Sequence, residues 1–479
     1  MTAPTFDAHA AGPRRRVWLR DPLAVWTGDP SGHSFDSRGG PRSDGGGDAG
    51  GGVVVESSLV AELVPTGGRP SEACAEVVDC SAHVLLPGLV NTHHHFYQTL
   101  TRAWGPVIDT ALFDWLQRLY PVWARITPRD LELAVTVAAA ELLLSGCTTA
   151  ADHHYLFPAQ LTEAIDVEVA TLGTLGLRAV VTRGSMSLGR DQGGLPPQST
   201  VQDPDVIMAD CERVVDRYHQ AGEGAMVQVA LAPCSPFSVT RQTMIDSAEL
   251  ARARGLALHT HLAETLDEED FCRERFGLRT VDYLESVGWL EDRTWLAHGI
   301  HFDDDEVARL GAAGVGVAHC PSSNMRLASG IARAVELEDA GCAVGLGVDG
   351  SASNDHSNLM VEARQALLLQ RLRYGAEAVS PARALGWATR GSARALGRDD
   401  LGVIAPGRPA DLALFRLDEP AFSGSHDPVA ALLLCGAHRA DRVMVDGRWR
   451  VTDGAVVGLD LPAVLAEHGA AARRLVAAG

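Results

Sequence analysis

Between Leu86 and Asp349 the chain repeats one pattern. A short apolar run breaks off at a polar or turn residue, and a longer amphipathic stretch follows. The apolar runs end near His93, Asp152, Arg183, Pro233, His261, His298, His319 and Asp349. The stretches between them, such as PRDLELAVTVAAAELLLSG and RQTMIDSAELARARG, have helical spacing, and the second ends in a glycine stop. Strands that alternate with helices build parallel sheets. Eight such units predict an α/β fold closed into a (β/α)8 TIM-like barrel. The competing arrangement, an open doubly wound sheet, lacks a glycine-rich nucleotide fingerprint after its first strand.

The flanks read differently. Residues 1–16 read as a disordered leader, and residues 17–85 hold short strand-like runs interrupted by SRGGPRSDGGGDAGGG at 37–52. Such a segment buries too little surface to offset its ordering entropy, so a flexible insertion is expected there. The barrel is expected over 86–400. Residues 401–479 return to short strands with Gly and Pro turns, then a closing helix, LPAVLAEHGAAARRLVAAG. The two flanks together predict a small β-sandwich domain built from both chain ends. A length of 479 residues, 46% of them hydrophobic, suffices for a large barrel plus this appended domain.

Composition removes several chemistries. Every basic residue is arginine. A Schiff-base lysine, a phosphate-loop lysine and a carbamylated lysine are therefore all excluded. The net charge of −20 opposes binding to phosphate backbones and anionic lipid, so neither nucleic acid nor membrane is an expected partner. Nine scattered cysteines without a CxxC pair suggest reduced, mostly buried thiols in a cytoplasmic protein. No apolar run is long enough to span a bilayer, and no apolar segment follows Arg14–Arg16 to make a signal peptide.

Barrel active sites lie at the C-terminal ends of the strands. The first strand runs into PGLVNTHHHFYQ, where His93 and His95 are two apart and face the same way while His94 points elsewhere. The fifth ends LALHTHLAE, with His259 and His261 on one face and Glu264 just beyond. His298 lies in LAHGIH on the sixth, and Asp349 in GLGVDGSASND on the eighth. Three imidazoles and a carboxylate on one rim suit Zn²⁺ or a similar divalent ion. His259 shares a face with His261, and His261 is preferred because Glu264 follows it. His94, His153, His154, His301 and His356 read as ordinary satisfied polar residues. A flat heterocycle needs a slot with polar groups at its edges. Gln98, Trp115, Tyr155, Cys234, Ser235 and Asn324 lie at or after strand ends. Among these, Gln98, Trp115, Cys234 and Ser235 are the candidate substrate contacts. Trp115 and Tyr120 are equally compatible with core packing of a helix.

The motifs PGLVNTHHH, HLAE, AHGIH, AHCPSSN, GLGVDGSASND and PGRPADL, in this order, resemble those of the amidohydrolase superfamily over nearly the whole chain. Without a lysine, the fit is with its mononuclear cyclic-amidine deaminases. HHHFYQTLTRA, RGSMSLGRDQGGLPP, APCSPFSV and HCPSSNMRLASGIA narrow the resemblance to bacterial members that convert 8-oxoguanine to uric acid and ammonia. It implies His93, His95, His261 and Asp349 as ligands of one divalent ion, zinc or alternatively iron. Glu264, His298 and Asp349 are implied as the catalytic, proton-handling groups around a metal-activated hydroxide. A small purine-like substrate is implied, and a homo-oligomer is expected because such barrels often pair. Other readings remain: an aminohydrolase for guanine, isocytosine, a pterin or an s-triazine; a dechlorinase with the same core; or an inactive scaffold, which would have lost ligands that are all present here.

Overall fold

The computed structural model describes residues 15–28 and 48–477. Eight strands form a closed parallel barrel: β1 (Leu89–Asn91), β2 (Cys147–His154), β3 (Arg178–Ser185), β4 (Val227–Pro233), β5 (Leu258–Leu262), β6 (Thr294–His298), β7 (Gly316–His319) and β8 (Ala343–Leu346). Each pairs with the next in sequence, and β8 returns to β1 through Leu346 and Asn91. These strands read as unbroken apolar runs because both faces are covered. All eight residues of β2 are buried.

Helices fill the connections. Two of them, α1 (Leu112–Trp123) and α2 (Pro128–Leu144), lie between β1 and β2, and α3 (Ala164–Leu175) lies between β2 and β3. Local chemistry sets the start of α2. Thr127 and Asp130 form a reciprocal capping box, with Pro128 in the first turn where its missing N–H costs nothing. The helix Arg241–Arg254 stops at Gly255, which takes φ +67°.

The chain ends meet in a six-stranded sheet. Leu412–Arg416 runs antiparallel to His83–Pro87, with Leu412 opposite Pro87 and Arg416 opposite His83. A second sheet of four strands is purely N-terminal, with Arg16–Arg20 between Gly52–Glu56 and Glu76–Asp79. Val17, Leu19, Val53 and Val55 from this sheet share one core with Leu85, Leu412, Leu414 and Met444 from the other. Leu86 and Pro87, expected to open the barrel, close a strand of the small sheet instead.

Residues 1–14 of the expected leader and 37–47 of the expected insertion lie outside the described residues. The remainder of each is ordered. Arg16 opens a strand. Asp48 accepts hydrogen bonds at 2.9 Å from Gly50 N, Thr66 N and Thr66 Oγ1. Gly52 takes φ +112°, and a Cβ there would sit 1.9 Å from the Leu19 carbonyl oxygen. The last glycine of the run is thus a close-packing residue rather than a flexible one. Among the described residues no helix is long and apolar enough to cross a membrane.

Candidate active site

The barrel rim gathers the histidines. Beyond β1, His93 and His95 face the interior, while His94 turns away and pairs through Nε2 with Ser357 Oγ at 2.8 Å. His259 and His261 project from β5, His298 ends β6, and Asp349 follows β8. Both His298 (φ +72°) and Asp349 (φ +61°) take left-handed backbone, as does Ala263 (φ +54°) just before Glu264. This conformation costs a non-glycine residue about 1–3 kcal/mol and concentrates at functional turns.

Hydrogen bonding behind the rim fixes which nitrogens carry protons. His95 Nδ1 donates to the His153 carbonyl at 2.7 Å, and His261 Nδ1 donates to the Cys234 carbonyl at 2.7 Å. Each Nε2 is left with a lone pair. His259 Nδ1 donates to the Trp295 carbonyl at 2.8 Å, so His259 Nε2 accepts and His93 Nδ1, 2.8 Å away, must donate to it. His93 Nε2 is therefore also a bare lone pair, and it has no hydrogen-bond partner among the described residues. His95 Nε2 lies 3.2 Å from His261 Nε2. Asp349 Oδ1 lies 3.2 Å from His93 Nε2 and 3.4 Å from His95 Nε2. Burial, followed by the neighbouring His93, pushes the His95 pKa down to about 3, and burial lowers His93 and His261 too. His93, His95 and Asp349 form one group able to hold a metal ion, and His93, His153 and His261 form a second that shares His93, so buried lone pairs beside a carboxylate oxygen make a place suited to a cation. A nitrogen-rich set of this kind with one carboxylate fits one divalent ion such as zinc.

A second group handles protons. His298 Nε2 lies 3.5 Å from Glu264 Oε2 and 4.0 Å from Asp349 Oδ2. Its Nδ1 donates to Asn324 Oδ1 at 2.9 Å. Burial works against charge on His298, yet the Glu264 and Asp349 carboxylates outweigh it and raise the pKa. Burial pushes Glu264 up to about 7, with His298 opposing. Ser323 Oγ (2.6 Å) and Ser353 Oγ (3.0 Å) donate to Asp349 Oδ2. The two Asp349 oxygens thus face different tasks: Oδ1 toward the imidazole nitrogens, Oδ2 toward His298.

These groups open into a small cavity. Gln98, Trp115 and Cys234 line it, as their positions after strand ends suggested. Two of them are already engaged, since Gln98 Oε1 accepts from Ala352 N at 3.2 Å and Trp115 Nε1 donates to the Ala352 carbonyl at 3.2 Å. Ser235, the fourth candidate contact, is not among the residues that line the cavity. It is buried off the cavity wall, and its hydroxyl is paired with Ser238 Oγ at 2.7 Å. His259 and Asn324 are marked in the sequence by position alone, whereas His153 behind the imidazoles and Ser323 and Ser353 on Asp349 carry no sequence signal of their own. His153 stacks on His261 with ring centroids 4.6 Å apart, and its carbonyl orients His95.

A closed parallel barrel with such a donor set at its C-terminal rim belongs to the barrel hydrolases. The match is specific: residues 84–450 fit the amidohydrolase family, and the chain belongs to it. It is 66% identical to 8-oxoguanine deaminase of Pseudomonas aeruginosa, over 96% of this chain and 99% of that one. It is 36% identical to an isoxanthopterin deaminase from an unknown prokaryotic organism, over 85% of this chain and 87% of that one. Among solved structures, atrazine chlorohydrolase from Arthrobacter aurescens TC1 complexed with zinc superposes with a TM-score of 0.87. That pair is 31% identical, covering 95% of this chain and 100% of the other.

Proposed function

We propose that this enzyme hydrolyses 8-oxoguanine to uric acid and ammonia. The observation that carries the reading is the near-full-length relationship, at 66% identity, to the Pseudomonas aeruginosa deaminase. The site geometry suits the reaction. His93, His95, His261 and Asp349 would hold one divalent ion, zinc in the first instance and iron as the alternative. When bound, such an ion acts as a Lewis acid that makes hydroxide available from water near neutral pH.

The remaining chemistry belongs to the chain. Asp349 Oδ2 and His298 Nε2 orient the attacking water and take its proton. Glu264 keeps a proton near neutral pH and gives it to the ring nitrogen beside the amino-bearing carbon. That neutralises charge developing on the ring as oxygen adds. The proton taken from water passes to the amino group, the C–N bond breaks as the remaining hydroxyl proton returns to Glu264 and the carbonyl forms, and ammonia leaves. Gln98, Trp115 and Cys234 form the slot around the heterocycle. Self-association of the barrel accompanies this reading and is measured by light scattering.

The test is ammonia release from 8-oxoguanine, guanine, isocytosine and melamine-type rings, with metal content measured on the same preparation. We expect 8-oxoguanine to give the highest kcat/KM, with one uric acid per ammonia. Comparable efficiency on guanine, or activity confined to triazines, refutes the substrate while leaving a cyclic-amidine deaminase.

A further inference from the structure

The cavity lining is of two unlike kinds. Strand ends supply His95, His261, Glu264, His298 and Asp349, where the amino-bearing carbon must sit. The helix α1 supplies Leu112, Trp115, Leu116 and Tyr120, spaced i, i+3, i+4 and i+8, so one helical face forms the other wall. Phe237 and Leu327 join it. This wall is apolar except for the Trp115 N–H, already spent on Ala352, and the Tyr120 hydroxyl. Tyr120 is fully buried, and its hydroxyl has no hydrogen-bond partner among the described residues. Its ring is held edge-on against Trp123, at 6.1 Å between centroids, so the hydroxyl is carried by a fixed side chain.

A buried hydroxyl without a partner is costly, and a ligand that pairs it recovers that cost. A purine whose amino-bearing six-membered ring faces the strand ends turns its five-membered ring toward α1. We infer that the Tyr120 hydroxyl reads the five-membered-ring edge of the substrate by donating a hydrogen bond to the 8-carbonyl oxygen. This inference rests on the 8-oxoguanine reading and assigns its specificity to one atom. Guanine presents C–H at the 8-position, so it leaves the hydroxyl as unpaired as it is in the free protein.

Tyr120→Phe removes that oxygen and keeps the ring. We expect kcat/KM for 8-oxoguanine to fall by about 10- to 100-fold, with kcat/KM for guanine unchanged, so that the preference collapses. An equal fall on both substrates, or an unchanged ratio, overturns the assignment. A measurement on the wild-type enzyme stands whether or not the variant folds. Uric acid, which has the 8-carbonyl, should inhibit more tightly than xanthine, which lacks it, and equal inhibition also overturns the assignment. A wild-type enzyme that releases no ammonia from 8-oxoguanine brings down the substrate reading and this inference together. A wild-type enzyme that does so, with the ratio intact in Tyr120→Phe, brings down this inference alone.

Discussion

His259→Phe is the sharpest test of how the imidazole cluster is prepared for a cation. In the structure His259 stacks flat on Trp295, with centroids 4.2 Å apart and planes 9° from parallel, and a phenyl ring preserves that contact. Both ring nitrogens are lost. The Trp295 carbonyl and the His93 Nδ1–H, each paired with His259 at 2.8 Å, become buried and unsatisfied. At about 1–3 kcal/mol for each, the metal-free protein should lose roughly 2–6 kcal/mol of stability. His93 also loses the bond that keeps its proton on Nδ1, so part of the population carries the proton on Nε2, which faces Asp349. Loss of such a supporting bond weakens metal affinity by about 10- to 100-fold. Chelator competition against zinc, beside thermal melts with and without metal, measures both quantities. His259→Gln offers an amide carbonyl to His93 and should recover most of the affinity. Wild-type zinc affinity in His259→Phe refutes the tautomer argument. Equal loss in His259→Phe and His259→Gln points instead to His259 as a direct ligand.

Glu264→Gln should retain metal and lose at least about 100-fold in kcat; simultaneous loss of metal would make Glu264 structural. His298→Asn should also lower kcat with metal retained, and near-normal turnover would remove His298 from the proton path. Dialysis against a chelator should abolish ammonia release and lower the Tm, since a ligand of the folded state stabilises by mass action; full activity in metal-free protein would refute the cation argument. Away from the site, burial pushes the Glu168 carboxyl from 4.5 up to about 8, and Glu168 Oε1 lies 2.8 Å from His154 Nδ1. A raised folded pKa gives stability that is complete below pH 4.5 and is lost as pH rises through 8. Melting curves should therefore fall across this window in wild type and fall less steeply in Glu168→Gln; parallel curves would show that Glu168 contributes nothing to the slope.

The barrel was legible because each strand is short, apolar and followed by a helix, and these local patterns agree with the closed fold. The rim was legible for a related reason: His93 and His95 are two apart on extended backbone, and Glu264 comes three residues after His261. What sequence left open is what lies behind each side chain. Ser235 sits beside Cys234, yet the chain turns so that Ser238 takes its hydroxyl. The glycine run reads as flexible by composition, although Gly52 is required by the Leu19 carbonyl pressed against it. Partners such as Ser323 for Asp349 and Asn324 for His298 come from the segment after β7, and no spacing rule connects those positions.

The histidine pair on β5 shows where pattern reasoning stops and geometry takes over. His259 and His261 are equivalent by alternation, since both point to one face. In a barrel, however, residues two apart on a strand occupy successive layers along the axis. His261 lies at the upper layer, where its Nε2 meets His95 Nε2 at 3.2 Å. His259 lies one layer deeper, where its Nε2 reaches only the back of His93. The deeper residue is placed to direct the proton of a neighbour, and the upper one to meet a cation. The same imidazole side chain thus takes opposite duties through depth alone. Exchanging the two duties would require a different contact beneath the rim, which is why the carbonyl of Trp295, invisible as a motif, decides the arrangement.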